Sequence, residues 1–164
     1  VADFDLKRIL FALLDHGVDF VVIGAEAAIL QGAPLDATLD VDVAASHSER
    51  NLRKLAAALR ELAAELRVPD PEEHVAIPLD APMLKQMSVL TLMTRFGPLD
   101  ILFDPAGAPP YTEMRKSASE INAFGVLVRV ASLADIVSMK RAAGREKDAA
   151  HLIKILVYMR EFER

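Results

Sequence analysis

The 164-residue chain has room for one domain, and its 52% hydrophobic and 26% charged residues suit a packed globule rather than a disordered chain. A formal net charge of −5 offers nucleic acid no overall attraction, and the absence of cysteine excludes disulfides, thiolate metal sites and cysteine nucleophiles. No apolar run is long enough to span a bilayer, and Asp3, Asp5, Lys7 and Arg8 break the N-terminal stretch where a secretory signal would be continuous, so a cytoplasmic protein without membrane contact is expected.

Leu6, Ile9, Leu10, Leu13 and Leu14 recur at helical spacing up to Gly17, which predicts an amphipathic helix with a glycine stop. Residues 18–23 are β-branched and aromatic and run into Gly24, so they read as a buried strand entering a close turn; 25–31 then read as a short helix closed by Gly32 and Pro34. Residues 39–44 alternate, which puts Asp40 and Asp42 on one face of a strand and Leu39, Val41 and Val43 on the other. Ser46 and Glu49 have capping-box spacing, and Leu52, Leu55, Leu59, Leu62 and Leu66 predict a long amphipathic helix ending before Pro69.

Prolines 71, 78 and 82 reduce 70–87 to a loop with room for a short strand or one turn of helix. Residues 88–95 and 99–103 form two apolar runs joined through Gly97 and Pro98, an expected antiparallel hairpin with Asp100 early in its second strand. A short helix to Ser117 and a strand over 126–130 follow the 105–110 loop. Ser132 and Asp135 then cap a helix that Gly144 ends, and a last helix runs over 146–161. The expected architecture is α+β: a small mixed sheet packed against helices in a single domain over 1–164, with a core at about 18–131 and C-terminal helices at about 132–164.

Two aspartates one residue apart on a strand project the same way, about 7 Å apart, within reach of one hard cation such as magnesium. Asp100 would supply a third carboxylate if its strand lies beside that of Asp42. The alternative is a solvated edge strand, where acidic residues are common. Upstream, the junction at Gly24 and Ala25 between strand and helix suits close approach of backbone N–H groups to phosphate, and equally a simple tight turn.

The run Val21-Val22-Ile23-Gly24-Ala25-Glu26-Ala27-Ala28, followed by Gly32, Pro34, Thr38 and Asp40-Val41-Asp42, resembles the signature of the DNA polymerase beta-like nucleotidyltransferases. Its G-x-P turn and the threonine before D-x-D are most similar to the AbiEii and MenT group of toxin-like enzymes, which usually carry Gly or Ser where this chain has Ala25. Residues 133–148, with Lys140, Arg145 and Asp148, resemble that group's lysine motif and the start of its next helix.

The resemblance implies the nucleotidyltransferase fold. It implies Mg2+ held by Asp40, Asp42 and Asp100 as the catalytic carboxylates, and a nucleoside triphosphate as substrate. Gly24, Ala25, Thr38, Lys140 and Arg145 would then bind nucleotide, with Lys140 and Asp148 in catalysis. It further implies transfer to a tRNA 3′ end and a cognate antitoxin as partner. A protein or small-molecule acceptor, or a degenerate module that only binds nucleotide, would use the same fold. Taken alone, Lys140 also fits a solvated helix end, Asp148 a helix cap, and Thr38 an ordinary residue beside a strand. Arg50, Arg53, Arg60, Arg67, Arg141 and Arg145 are candidates for a local basic face, and His16, His47, His74 and His151 show no metal-ligand spacing.

Overall fold

The computed structural model describes residues 4–67 and 78–162. Asp5 accepts from the backbone N–H of Arg8 and so caps α1 (Leu6–Asp15), which buries Ile9, Leu10 and Leu13. The chain then enters β1 (Phe20–Ile23), buried throughout, and passes at Gly24 into α2 (Gly24–Leu30). β2 (Val41–Ala45) returns antiparallel to β1, with Ile23 opposite Asp42.

Leu39 and Asp40 precede β2 instead of lying in it. Leu39 is 77% exposed, against the expectation that it shares the buried face of Val41 and Val43. The alternation begins only where the backbone joins the ladder. α3 (Glu49–Glu61) is capped by Ser48, whose Oγ accepts from the N–H of Asn51, rather than by Ser46. The Asn51 side chain is the reason: it donates to the carbonyls of Asp19 and Ser46 and accepts from the N–H of Asp19, which ties Ser46 to the loop before β1.

α3 also stops sooner than the leucine pattern predicts. Ala63 turns left-handed at φ 51°, and Leu66 lies in β3 (Glu65–Leu66), paired with Leu92. Pairing to the neighbouring strand outweighs a fifth leucine at helical spacing, because the four before it already fill the core side. Of the expected loop over 70–87, residues 68–77, with Pro71 and His74, lie outside the described residues, and α4 (Ala81–Lys85) supplies the single turn of helix.

β4 (Val89–Thr94) and β5 (Gly97–Leu102) form the predicted hairpin, although Gly97 and Pro98 belong to β5 and Arg95 and Phe96 make the turn. After α5 (Tyr111–Ser117) comes β6 (Ser119–Ala123), a strand the sequence signalled weakly because it holds only Ile121 and Ala123 as apolar residues, and then β7 (Val126–Val130). α6 (Leu133–Ala143) is capped by Ser132 and ends at left-handed Gly144, as expected; α7 (Glu146–Phe162) closes the described chain.

Among the described residues the sheet is mixed and seven-stranded, in the order β3-β4-β5-β2-β1-β7-β6. β5 runs parallel to β2, and β7 parallel to β1. Val41, Val43, Leu99 and Ile101 of the central pair are buried with Leu10, Leu13, Leu52, Leu55 and Leu59 of α1 and α3. Each such leucine contributes roughly 1.5–3 kcal/mol by leaving water. The opposite face of the same strands carries Asp42 and Asp100, and it is there that α2, α6 and α7 gather. Tyr158 of α7 donates to the carbonyl of Gln31 at 2.7 Å, which ties the last helix to the end of α2. Among the described residues no helix is long and apolar enough to cross a membrane.

Candidate active site

Asp42 and Asp100 face one another in the register of adjacent parallel strands, so the sheet itself holds the two carboxylates side by side. Asp40 stands just upstream of β2, partly buried, and lines the same cavity of about 340 Å3. Gly24 and Ala25 border it from the β1–α2 turn, where Gly24 holds a left-handed φ of 70°. Lys140 lines it from α6, Arg145 from the junction between α6 and α7, and Asp148 from α7.

The carboxylates sit under strong electrostatic pressure. Burial first, then the charges of Asp100 and Asp40, push the Asp42 carboxyl up to about 6, against an ordinary 3.8. Asp100 is raised as well, mainly by burial, with the Arg67 guanidinium opposing the shift. Arg67 donates to Asp100 Oδ1 at 2.8 Å, so this arginine neutralises a carboxylate of the site instead of forming part of an outer basic face. Among the described residues no three His, Asp or Glu side chains are gathered tightly enough to enclose an ion as they stand. The donor set is nonetheless all carboxylate oxygen, with mutual repulsion that a divalent cation would relieve, and it fits magnesium chemically.

Thr38 lines the same cavity, with its hydroxyl engaged by neighbouring residues. Its hydroxyl lies 2.7 Å from Glu26 Oε2 and 3.0 Å from the carbonyl of Asp40, so it braces the segment leading to the aspartates. Glu26 is only 9% exposed, lines the cavity, and is raised in pKa chiefly by burial, the Thr38 hydrogen bond opposing. The sequence contained its signal, a lone acid inside the otherwise apolar Gly24–Leu30 helix.

Lys140 is not at a solvated helix end: it is 7% exposed, and its Nζ donates to Asp148 Oδ1 at 3.3 Å. Burial lowers its pKa, and Asp148 holds it back up. Asp148, 1% exposed, does cap α7, because its Oδ2 accepts the N–H of Arg145, but the same carboxylate also pairs with Lys140 and with Arg145 Nε at 2.7 Å. Burial alone would raise Asp148, yet the hydrogen bonds from Arg145 and the charge of Lys140 outweigh it and leave its pKa lowered. His151 completes the cluster, its Nδ1 lying 3.0 Å from Lys140 Nζ. Its place three residues after Asp148, on the same helical face, was the one hint in the sequence.

Arg50, Arg53 and Arg60 lie exposed on α3, Arg141 lies exposed on α6, and none of the four lines the cavity. His16 and His47 are likewise remote from it, the first beside Glu61 and the second stacked on Phe103.

The cavity thus opposes an acidic wall, from the sheet, to a basic wall from two helices. No protein-family model matches the chain, and no curated protein sequence is significantly similar to it. Solved structures are similar to it. A proposed nucleotidyltransferase from Thermotoga maritima, TM1012, superposes with a TM-score of 0.56 at 19% identity, over 93% of this chain and 91% of that one. The lincosamide antibiotic adenylyltransferase LnuA, solved with lincomycin, gives 0.62 at 16% identity over 93% and 97%. ANT(2'')-Ia, solved with adenylyl-2''-tobramycin, gives 0.59 at 15% over 94% and 87%. With its mixed sheet, helical flanks and C-terminal helix pair, the chain has the nucleotidyltransferase fold.

Proposed function

We propose that the protein is a magnesium-dependent nucleotidyltransferase that moves a nucleotidyl group from a nucleoside triphosphate to an acceptor hydroxyl, with release of pyrophosphate. The observation that carries this reading is the pairing of Asp42 with Asp100 on adjacent strands, across one cavity from Lys140 and Arg145. Asp40, Asp42 and Asp100 would hold the metal, which when bound neutralises triphosphate charge and lowers the pKa of the attacking hydroxyl. Lys140 and Arg145 place positive charge opposite the acids, where a polyphosphate chain would lie. Gly24 and Ala25 keep the β1–α2 turn free of side-chain bulk, which lets phosphate approach the backbone. Asp148 opposes the effect of burial on Lys140 and favours its charged form.

For the acceptor, the likeness of the Gly24 and Asp40–Asp42 segment and of the Lys140–Asp148 segment to the AbiEii and MenT group supports a tRNA 3′ end, with the protein acting as the toxin of a toxin–antitoxin pair. A small hydroxyl-bearing molecule is the second reading. It is favoured by the placement of Arg50, Arg53, Arg60 and Arg141 away from the cavity, which leaves no continuous run of them from the site toward an RNA backbone. The fold shared with two antibiotic adenylyltransferases is compatible with it.

The test incubates the protein and its Asp42→Ala variant with each α-labelled ribonucleoside triphosphate and magnesium. The acceptors are total tRNA or a panel of hydroxyl-bearing small molecules. Label on tRNA that vanishes in the variant supports the first reading, and label confined to a small molecule supports the second. Absence of label on every acceptor, from a folded wild type, overturns the enzyme.

A further inference from the structure

Lys140 has three ammonium protons, and the structure shows where two of them go. One is donated to Asp148 Oδ1 at 3.3 Å and another to His151 Nδ1 at 3.0 Å. With the ammonium as donor, Nδ1 accepts, which is the arrangement of a neutral imidazole carrying its proton on Nε2 and agrees with the lowering of its pKa by burial and by Lys140. Asp148 and His151 lie three residues apart on one face of α7, and Lys140 reaches them from α6 with its own side chain buried. Together they fix the ammonium from two directions and leave its third N–H for the cavity that all three residues line.

The neutrality of that second acceptor has a purpose in the charge balance. Asp148 already faces two cations, Lys140 and Arg145, so the cluster carries one net positive charge. A neutral imidazole orients the lysine without cancelling that charge.

We infer that His151 is a positioning residue for nucleotide binding, holding the Lys140 ammonium toward the polyphosphate chain through Nδ1. The inference rests on the reading of the cavity as a triphosphate site. It places a histidine in the binding machinery that no metal-ligand spacing or motif identifies.

The test uses His151→Asn, whose amide oxygen sits close to the position of Nδ1 and accepts the same bond, and His151→Leu, which fills similar space and accepts none. The probes are inorganic tripolyphosphate and α,β-methylene ATP, titrated calorimetrically with magnesium present and below the onset of melting. His151→Leu is expected to weaken both probes by about tenfold or more, as loss of a hydrogen bond to a charged group does, while His151→Asn stays within about twofold of wild type. Equal weakening by both variants, or wild-type affinity in the leucine variant, overturns the role of His151 and leaves the triphosphate site intact. A folded wild type that binds neither probe overturns the site and the inference together.

Discussion

A β-carbon placed on Gly24 would stand 2.9 Å from Oδ2 of Asp42. The same residue holds a backbone angle of +70° that disfavours any side chain, so two separate constraints meet at the turn facing the carboxylate. Gly24→Ala is therefore expected to cost about 1–2 kcal/mol of stability and to displace the Asp42 carboxylate. Transfer activity should fall at least about tenfold, since ångström-scale misplacement costs that much or more. A variant with wild-type melting temperature and turnover would show that the turn tolerates a side chain.

The metal-free protein should be stabilised by Asp42→Asn. The folded carboxyl titrates at about 6 and the unfolded one near 3.8, so the folded state binds the proton more tightly. The associated stability is fully present below the lower value and is lost as pH rises through the higher one. At pH 8 the variant, free of that buried charge, should exceed wild type by about 1–3 kcal/mol, with the advantage vanishing toward about pH 4. Denaturant titrations of both proteins at the two pH values read this directly. A constant difference across the range would mean that the shift does not belong to Asp42.

Removing the acid of the buried ion pair should act in the opposite sense. Asp148→Asn leaves Lys140 buried with neutral partners alone, the new amide and His151, and also loosens the grip on Arg145. We expect a loss of about 3 kcal/mol, or about 8 °C in melting temperature, with nucleotide binding impaired even where the variant remains folded. Unchanged melting would show that the pair adds nothing to stability.

Arg67 engages Oδ1 of Asp100, a carboxylate that would hold the proposed magnesium. Arg67→Ala should consequently tighten magnesium binding at pH 8 by about three- to tenfold, because a positive charge beside the site is removed. Calorimetric titration of magnesium into the two proteins checks this. Equal or weaker affinity in the variant would show that the guanidinium yields to the metal at no cost.

Much of this arrangement could be read in the amino-acid order wherever a local period sets it. The alternation of Asp42 with Val41 and Val43, and of Asp100 with Leu99 and Ile101, is a property of the strand itself, and the two runs meet in register. Ser132 and Gly144 bound α6 through chemistry contained within a few residues. What escaped was decided by distant partners. Leu66 left the helical pattern to pair with Leu92, and Asn51 moved the start of α3 by binding Asp19. Arg67 found Asp100 thirty-three residues away, and His151 gained its role from a lysine on another helix. Asp40 escaped for a subtler reason: its period continues that of the strand, whereas its backbone has not yet joined the sheet.

The two walls of the cavity are encoded in separate stretches of the chain, the acids by residues 40–100 and the bases by 140–151. During synthesis the carboxylates are therefore completed well before the lysine and arginine that face them. A nascent chain that has emerged only as far as Val130 contains the whole central sheet and none of the basic wall. The full cavity needs the C-terminal helices in place, where Tyr158 of α7 donates to the carbonyl of Gln31. The order of the residues thus sets the order in which the two walls can be completed, with the last helix the final part to arrive.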